Sequence, residues 1–244
     1  MPSVSIVIPV HNEADFMPEA MRRLFAELAT VDAVFEVIVA ENGSTDGTGE
    51  LAERMAADEP LLRVLRLPEP NYGAAMRAGF IATTSDWVVN FDIDYFSADF
   101  LRAALALSDD ADVVLASKRA KGAEDRRTMF RRLGTFGFNL LLKLLFGSKV
   151  SDTHGMKMIR GSLARELTPR VISDLDLFDT ELVIRAERAG ARIREVPARV
   201  EELREARSSF LSRVPRTLVG MWRIRRALKR ESRAKNRDMR QSDS

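Results

Sequence analysis

The sequence predicts an α/β fold with a mostly parallel sheet flanked by helices. Short β-branched runs alternate with amphipathic stretches of helical length, the rhythm of βαβ units. Glycine-bearing turns such as Glu41-Asn42-Gly43-Ser44-Thr45-Asp46-Gly47 punctuate that alternation. Two apolar runs also end in acids, the first at Glu41 and the second in Trp87-Val88-Val89-Asn90-Phe91-Asp92-Ile93-Asp94. In an open α/β sheet, ligands sit beyond the carboxyl ends of the strands, where these acids fall.

Val4–Val10 is β-branched and reads as a buried first strand. From Ala14 to Leu28, Phe16, Ala20, Met21, Leu24, Phe25 and Leu28 recur at helical spacing. Phe35–Ala40 is a second strand, and Thr48–Ala57 a helix with Leu51 and Met55 on one side. Leu62–Leu67 is a third strand, and Tyr72–Ala82 a Gly/Ala-rich helix suited to close approach to a sheet. Trp87–Phe91, Ala98–Leu107 and Asp112–Ser117 continue the alternation as strand, helix, strand. Lys118–Arg127 is a polar loop. Met129–Phe146 is a helix apolar around much of its circumference yet rimmed by Arg131, Arg132 and Lys143, which suits a core helix or one dipping into lipid headgroups. A strand at Met156–Ile159, a helix at Asp179–Ala189 and a strand at Arg192–Val196 complete the body. Ser212–Lys235 reads as a basic helix fading into a polar, disordered tail. This divides the chain into 1–211 and 212–244.

Composition removes several classes. With no cysteine, disulfides and thiolate metal sites are excluded, which suits a reducing cytoplasm. Two histidines, His11 and His154, argue against a His-rich zinc site. The N-terminus lacks a signal peptide's basic region, and no apolar run approaches the ~20 residues of a membrane span. Net charge is +2, but residues 216–240 alone carry +8, leaving −6 elsewhere. A basic end on an acidic body suggests a polyanionic partner. The tail lacks interleaved aromatics beyond Trp222, which favours anionic lipid over nucleic acid.

The acids carry the chemistry. Asp92 and Asp94 would repel each other unless a cation or donors neutralise them. Hard oxygen ligands of this kind hold Mg²⁺ or Mn²⁺ against substrate phosphates, so the chain reads as an enzyme handling a nucleoside diphosphate. A solvated acidic turn is the plainer account. Pro9-Val10-His11-Asn12-Glu13 could hydrogen-bond a base or ribose, or simply cap a helix through Asn12. Glu41 could accept from a ribose or base, while Ser44 suits a helix cap. Asn71 and Arg77 are the polar residues of the Gly/Ala-rich helix open to a ligand.

In order, Pro-x-x-Asn-Glu, carboxylate-Asn-Gly-Ser-Thr-Asp-Gly, Asn-x-Gly and Asp-x-Asp occupy about the first 95 residues. In this ordered set the chain resembles the family 2 glycosyltransferases, which have the GT-A, Rossmann-like fold. Phe178-Asp179-Thr180-Glu181-Leu182 and Ile193-Arg194-Glu195-Val196-Pro197 extend the likeness to the polyprenol-phosphate branch, of the dolichol-phosphate mannosyltransferase type. The resemblance covers roughly residues 3–210. It implies that Pro9, Asn12 and Glu13 line the base pocket, with Glu41 at base or ribose, and that Asp92 and Asp94 bind the metal. Arg119, Arg131 and Thr135 would receive a polyprenyl phosphate acceptor, and Arg204 would lie near the donor phosphates. Glu41-Asn42 stands where the family has Asp-Asp, and His154-Gly155-Met156-Lys157 replaces its Gly-Phe-Arg.

The resemblance thus implies transfer of a hexose from a nucleotide diphosphate sugar to a polyprenyl phosphate, with inversion. A phosphate acceptor is already ionised and needs no base. A hydroxyl acceptor would need one, and Asp179, Glu181, Asp152 and His154 are the candidates. Alternatives are a soluble acceptor, a nucleotidyltransferase and a non-catalytic nucleotide-sugar module. The expected setting is the cytoplasmic face of the membrane, gripped through the basic helix, with a homodimer left open.

Overall fold

The computed structural model describes residues 1–117, 124–125, 129–151, 153, 155–175, 177–197, 199–200 and 210–242. The chain order is β1 (Ser3–Val10), α1 (Met17–Leu28), β2 (Val34–Asn42), α2 (Thr48–Asp58), β3 (Leu62–Leu67) and α3 (Tyr72–Ile81). It continues with β4 (Trp87–Asn90), α4 (Ala98–Leu105), β5 (Val113–Ser117), β6 (Glu124–Asp125) and α5 (Met129–Phe146). Then come β7 (Lys157–Arg160), α6 (Gly161–Leu167), α7 (Phe178–Arg188), β8 (Ile193–Pro197), β9 (Arg199–Val200) and α8 (Phe210–Ser242).

The main sheet runs β3-β2-β1-β4-β7-β5-β8. All neighbours are parallel except β7, which lies antiparallel between β4 and β5. The expected mostly parallel α/β sheet is therefore present. Strand order reverses between β1 and β4, and such a switch point opens a crevice at the carboxyl ends.

Alternation along the strands builds two cores. Ile6, Ile8, Val37, Val39 and Val89 face α1 and α4 on one side. Val7, Ile38 and Val88 face α3, α6 and α7 on the other. Fully burying each such side chain contributes about 1.5–3 kcal/mol. The small residues of α3 do permit close approach: a Cβ on Gly79 would collide with Val7 Cγ1.

A third cluster joins Leu142 of α5, Leu177 and Ile184 at α7, and Met221, Ile224 and Leu228 of α8. Met129–Phe146 is thus partly a core helix, while its Phe136, Leu140 and Leu144 stay exposed. Helix α6 was not anticipated. Its seven residues are too short to display a periodicity, and it is set by Gly161, whose N–H donates to the Asp86 carbonyl at 2.6 Å.

Candidate active site

The turns leaving β1 and β2 are laced together beside the switch point. Asn12 adopts a left-handed backbone at φ 54°, and its Oδ1 accepts from the Thr45 N–H at 2.8 Å. Its own N–H donates to Ser44 Oγ at 3.0 Å, and the next N–H, of Glu13, donates to Thr48 Oγ1 at 2.9 Å. His11 pairs Nδ1 with the Asn42 carbonyl at 2.9 Å, and its Nε2 lies 3.2 Å from the Asn12 amide nitrogen. The expected caps are therefore different. No side chain caps α1, because Asn12 reaches across to the β2 turn instead. At α2 it is Asp46, not Ser44, whose carboxylate accepts the Thr48 N–H, at 3.0 Å.

Glu41 lies beneath this turn and is 1% exposed. Its Oε1 accepts from the Ser44 N–H at 2.6 Å, and Oε2 lies 3.4 Å from Arg66 Nε. Gly43, at φ 66°, supplies the left-handed turn above it. Asn42 donates to the Val10 carbonyl at 3.1 Å and accepts from the Asn71 N–H at 2.8 Å. Asn71 in turn caps α3, accepting from the Ala74 N–H at 2.9 Å. One amide side chain thereby connects three of the predicted segments. Arg77 is drawn away to the loop before α7, donating to the Val171 carbonyl at 2.7 Å and pairing with Asp174 at 3.0 Å.

Beyond β4, Asp92 and Tyr95 exchange two backbone hydrogen bonds of 3.2 and 3.0 Å. The tight turn sends Ile93 into the core at 6% exposure and leaves Asp92 and Asp94 half-buried at the rim. Among the described residues no three His, Asp or Glu side chains converge as a metal cage. Two rim carboxylates fit a Mg²⁺ or Mn²⁺ ion that takes its other oxygens from a diphosphate and water. The donor set matches the cation that the resemblance implies.

Asp179, at the start of α7, is brought to the same edge. Its Oδ2 accepts from the Tyr72 hydroxyl at 2.6 Å and its Oδ1 from the Lys157 ammonium at 2.8 Å. Burial, and after it the charges of Asp179 and Asp92, hold the Tyr72 phenol well above its ordinary 10.0. Glu181, the other described base candidate, is 0% exposed and accepts from the Ile172 and Ser173 N–H groups, the Ser173 hydroxyl and Arg185. It is a structural anchor for the loop before α7.

Arg119, Asp152, His154 and Arg204 lie outside the described residues. Of Arg131 and Thr135 only their place in α5 is described. Sequence reasoning passed over Lys157, Tyr72 and Asn90. The available signal was a lysine inside the apolar run Met156–Ile159, an odd choice for a buried strand.

The family model described as Glycosyl transferase family 2 matches residues 5–168. The chain is 31% identical over 204 residues to glycosyltransferase AglD of Haloferax volcanii, covering 80% of this chain and 32% of that one. It is 30% identical over 152 residues to undecaprenyl-phosphate 4-deoxy-4-formamido-L-arabinose transferase of Klebsiella pneumoniae, covering 61% and 46%. It is 26% identical over 219 residues to dolichyl-phosphate beta-glucosyltransferase ALG5C of Trichomonas vaginalis, covering 83% and 65%. The chain thus spans 32–65% of these relatives' length. Among solved structures, glucosyl-3-phosphoglycerate synthase of Mycobacterium tuberculosis, in complex with Mn²⁺, UDP and phosphoglyceric acid, is similar in fold. Its TM-score is 0.65 at 23% identity, covering 92% of this chain and 78% of that one.

Proposed function

The chain belongs to glycosyl transferase family 2, and from that premise we propose that it moves a hexose from a nucleoside diphosphate sugar to a polyprenyl phosphate. The supporting relatives are named for undecaprenyl-phosphate and dolichyl-phosphate acceptors. The observation that carries the acceptor class is the binding of both Asp179 oxygens by Tyr72 and Lys157. Glu181 is likewise engaged, so both described base candidates already serve as acceptors within the protein. An acceptor that arrives ionised suits such a site.

In this reading the turn Pro9–Glu13, laced to Ser44 and Thr48, receives the nucleoside. Asn71 steadies the neighbouring helix start. Glu41 supports the turn from beneath through Ser44 and Arg66. Asp92 and Asp94 would hold the divalent cation, which supplies positive charge to the departing diphosphate when bound. An acceptor phosphate oxygen then forms its bond to the anomeric carbon as the bond to the donor diphosphate breaks, with inversion when attack is in line. Arg119, Arg131, Thr135 and Arg204 complete the proposal as phosphate-binding positions.

The same reading places the chain at the cytoplasmic face of a membrane. Among the described residues no helix is long and apolar enough to cross one. Helices α5 and α8 pack together, and each leaves large apolar side chains in solvent: Phe136, Leu140 and Leu144 on α5, Val214, Leu218 and Trp222 on α8. Exposed Lys143, Arg223, Arg226 and Lys229 accompany them, the composition of a helix pair lying in anionic headgroups.

A thermal-shift panel of UDP-, GDP-, dTDP- and CDP-sugars with Mn²⁺ tests the donor half. One donor should raise Tm well above the others, since binding the native state stabilises it by mass action. A flat panel would count against nucleotide-sugar binding.

A further inference from the structure

We infer that Lys157 is a positioning residue for glycosyl transfer, holding Asp179 and the Asp92 turn in one fixed arrangement. The inference rests on the family reading, but not on which acceptor is used. Lys157 is 1% exposed, in the one antiparallel strand of the main sheet. Its ammonium donates to Asp179 Oδ1 at 2.8 Å, to Asn90 Oδ1 at 2.6 Å and to the Gly155 carbonyl at 2.9 Å. Those three bonds use all its protons and reach three separate segments.

Asn90 is the last residue of β4, two positions before Asp92. Gly155, at φ 104°, belongs to the turn entering β7. Asp179 opens α7, and through Tyr72 it also grips the first turn of α3. One buried charge therefore ties together the metal-binding turn, α7 and the helix start capped by Asn71.

Stability alone is a poor account of this lysine. A buried ion pair commonly contributes no more than an apolar pair of the same volume, while losing one partner leaves an uncompensated charge. What the pair does provide is geometry: a carboxylate with both oxygens fixed, at an edge where charge redistributes as the glycosidic bond breaks. Asp179 then acts as a stationary charge, and Lys157 acts through it.

The test compares the wild type with Lys157→Met, Asp179→Asn and the double variant, using the donor selected by the thermal-shift panel with Mn²⁺, and reading both transfer to undecaprenyl phosphate in vesicles and release of the sugar to water. A wrong acceptor assignment appears in the wild type alone and leaves the Lys157 comparison readable. Lys157→Met should lower kcat about 100-fold, the scale of a misplaced group, with KM for the donor changed less than about threefold. If that variant fails to fold, the double variant decides, because it buries no orphan charge. The double variant should recover Tm while its kcat stays low. Recovery of both Tm and kcat would make the pair merely structural and overturn the inference. So would a Lys157→Met variant whose KM rises while kcat is unchanged.

Discussion

Arg185 of α7 and Glu231 of α8 form a two-pronged ion pair, with Nη1 and Nη2 each 3.1 Å from Oε1 and Nη1 3.0 Å from Oε2. Arg185 is 4% exposed and also holds Glu181 at 2.7 Å. Helix α8 is thereby clasped to the helix that carries Asp179. Met221, Ile224 and Leu228 add an apolar seam to the same contact.

The first prediction follows from that clasp. Glu231→Ala leaves a buried guanidinium with one carboxylate instead of two. Because Glu231 itself is partly exposed, the cost should be nearer about 1–2 kcal/mol than that of a fully buried pair. Urea unfolding should show a lowered midpoint. An unchanged midpoint would mean that α8 is held by its apolar seam alone.

Membrane attachment is better tested on the exposed side of α8 than by truncation, which would strip the buried seam as well. Leu218→Glu and Trp222→Glu should weaken sedimentation with anionic liposomes while leaving Tm near the wild type. Replacing Arg223 by Gln should weaken binding about fivefold, on the scale of ~1 kcal/mol per cation. Equal binding by all variants would remove α8 from the membrane proposal.

Asn42 explains one departure from the family's Asp-Asp-Gly-Ser turn. Its amide must donate to the Val10 carbonyl and accept from the Asn71 N–H. Asn42→Asp, though nearer the family pattern, sets a carboxylate oxygen against a carbonyl in a buried place. It should cost about 1–3 kcal/mol in stability. Wild-type stability in that variant would contradict the assigned hydrogen bonds.

Acid stability should report on Asp112. Arg192 binds this carboxylate through its side chain and then its backbone N–H, and Arg160 adds a further contact, so its pKa lies well below the usual range. A depressed native pKa contributes stability that is complete above the unfolded value of about 3.9 and is lost as pH falls through the native one. Asp112→Asn should therefore lower Tm at neutral pH and flatten the fall in Tm below about pH 4. An acid limb as steep as the wild type's would count against it.

Much of the fold was legible because period and punctuation agree. Phe35–Ala40 and Trp87–Phe91 are apolar enough to declare themselves strands, and the acids after them fall at the carboxyl edge of the sheet. Helix α6 and the antiparallel setting of β7 were not legible, since both follow from where the chain re-enters the sheet. The rim acids Asp92 and Asp94 could be picked out from their spacing. The roles of Glu41 and Asn42 could not, because a polar residue after a strand serves equally to bind a ligand or to lash two turns together. Lys157 and Tyr72 pair with Asp179 across 22 and 107 residues. Such contacts exist only once three elements have met.

The rim carboxylates give a further prediction. Asp92→Asn should abolish the Mn²⁺-dependent increase in Tm caused by the preferred nucleoside diphosphate, read against the variant's own ligand-free Tm. A full increase in that variant would remove Asp92 from the proposed metal site.

The proposed reaction is sugar transfer to an acceptor that brings its own negative charge. Its most direct measurement is transfer of radiolabelled sugar from the preferred donor, with Mn²⁺, to undecaprenyl phosphate and to undecaprenol presented in the same vesicles. A labelled lipid is expected from the phosphate and none from the alcohol. Equal labelling of undecaprenol, or labelling of a soluble hydroxyl acceptor in place of the lipid phosphate, would contradict it.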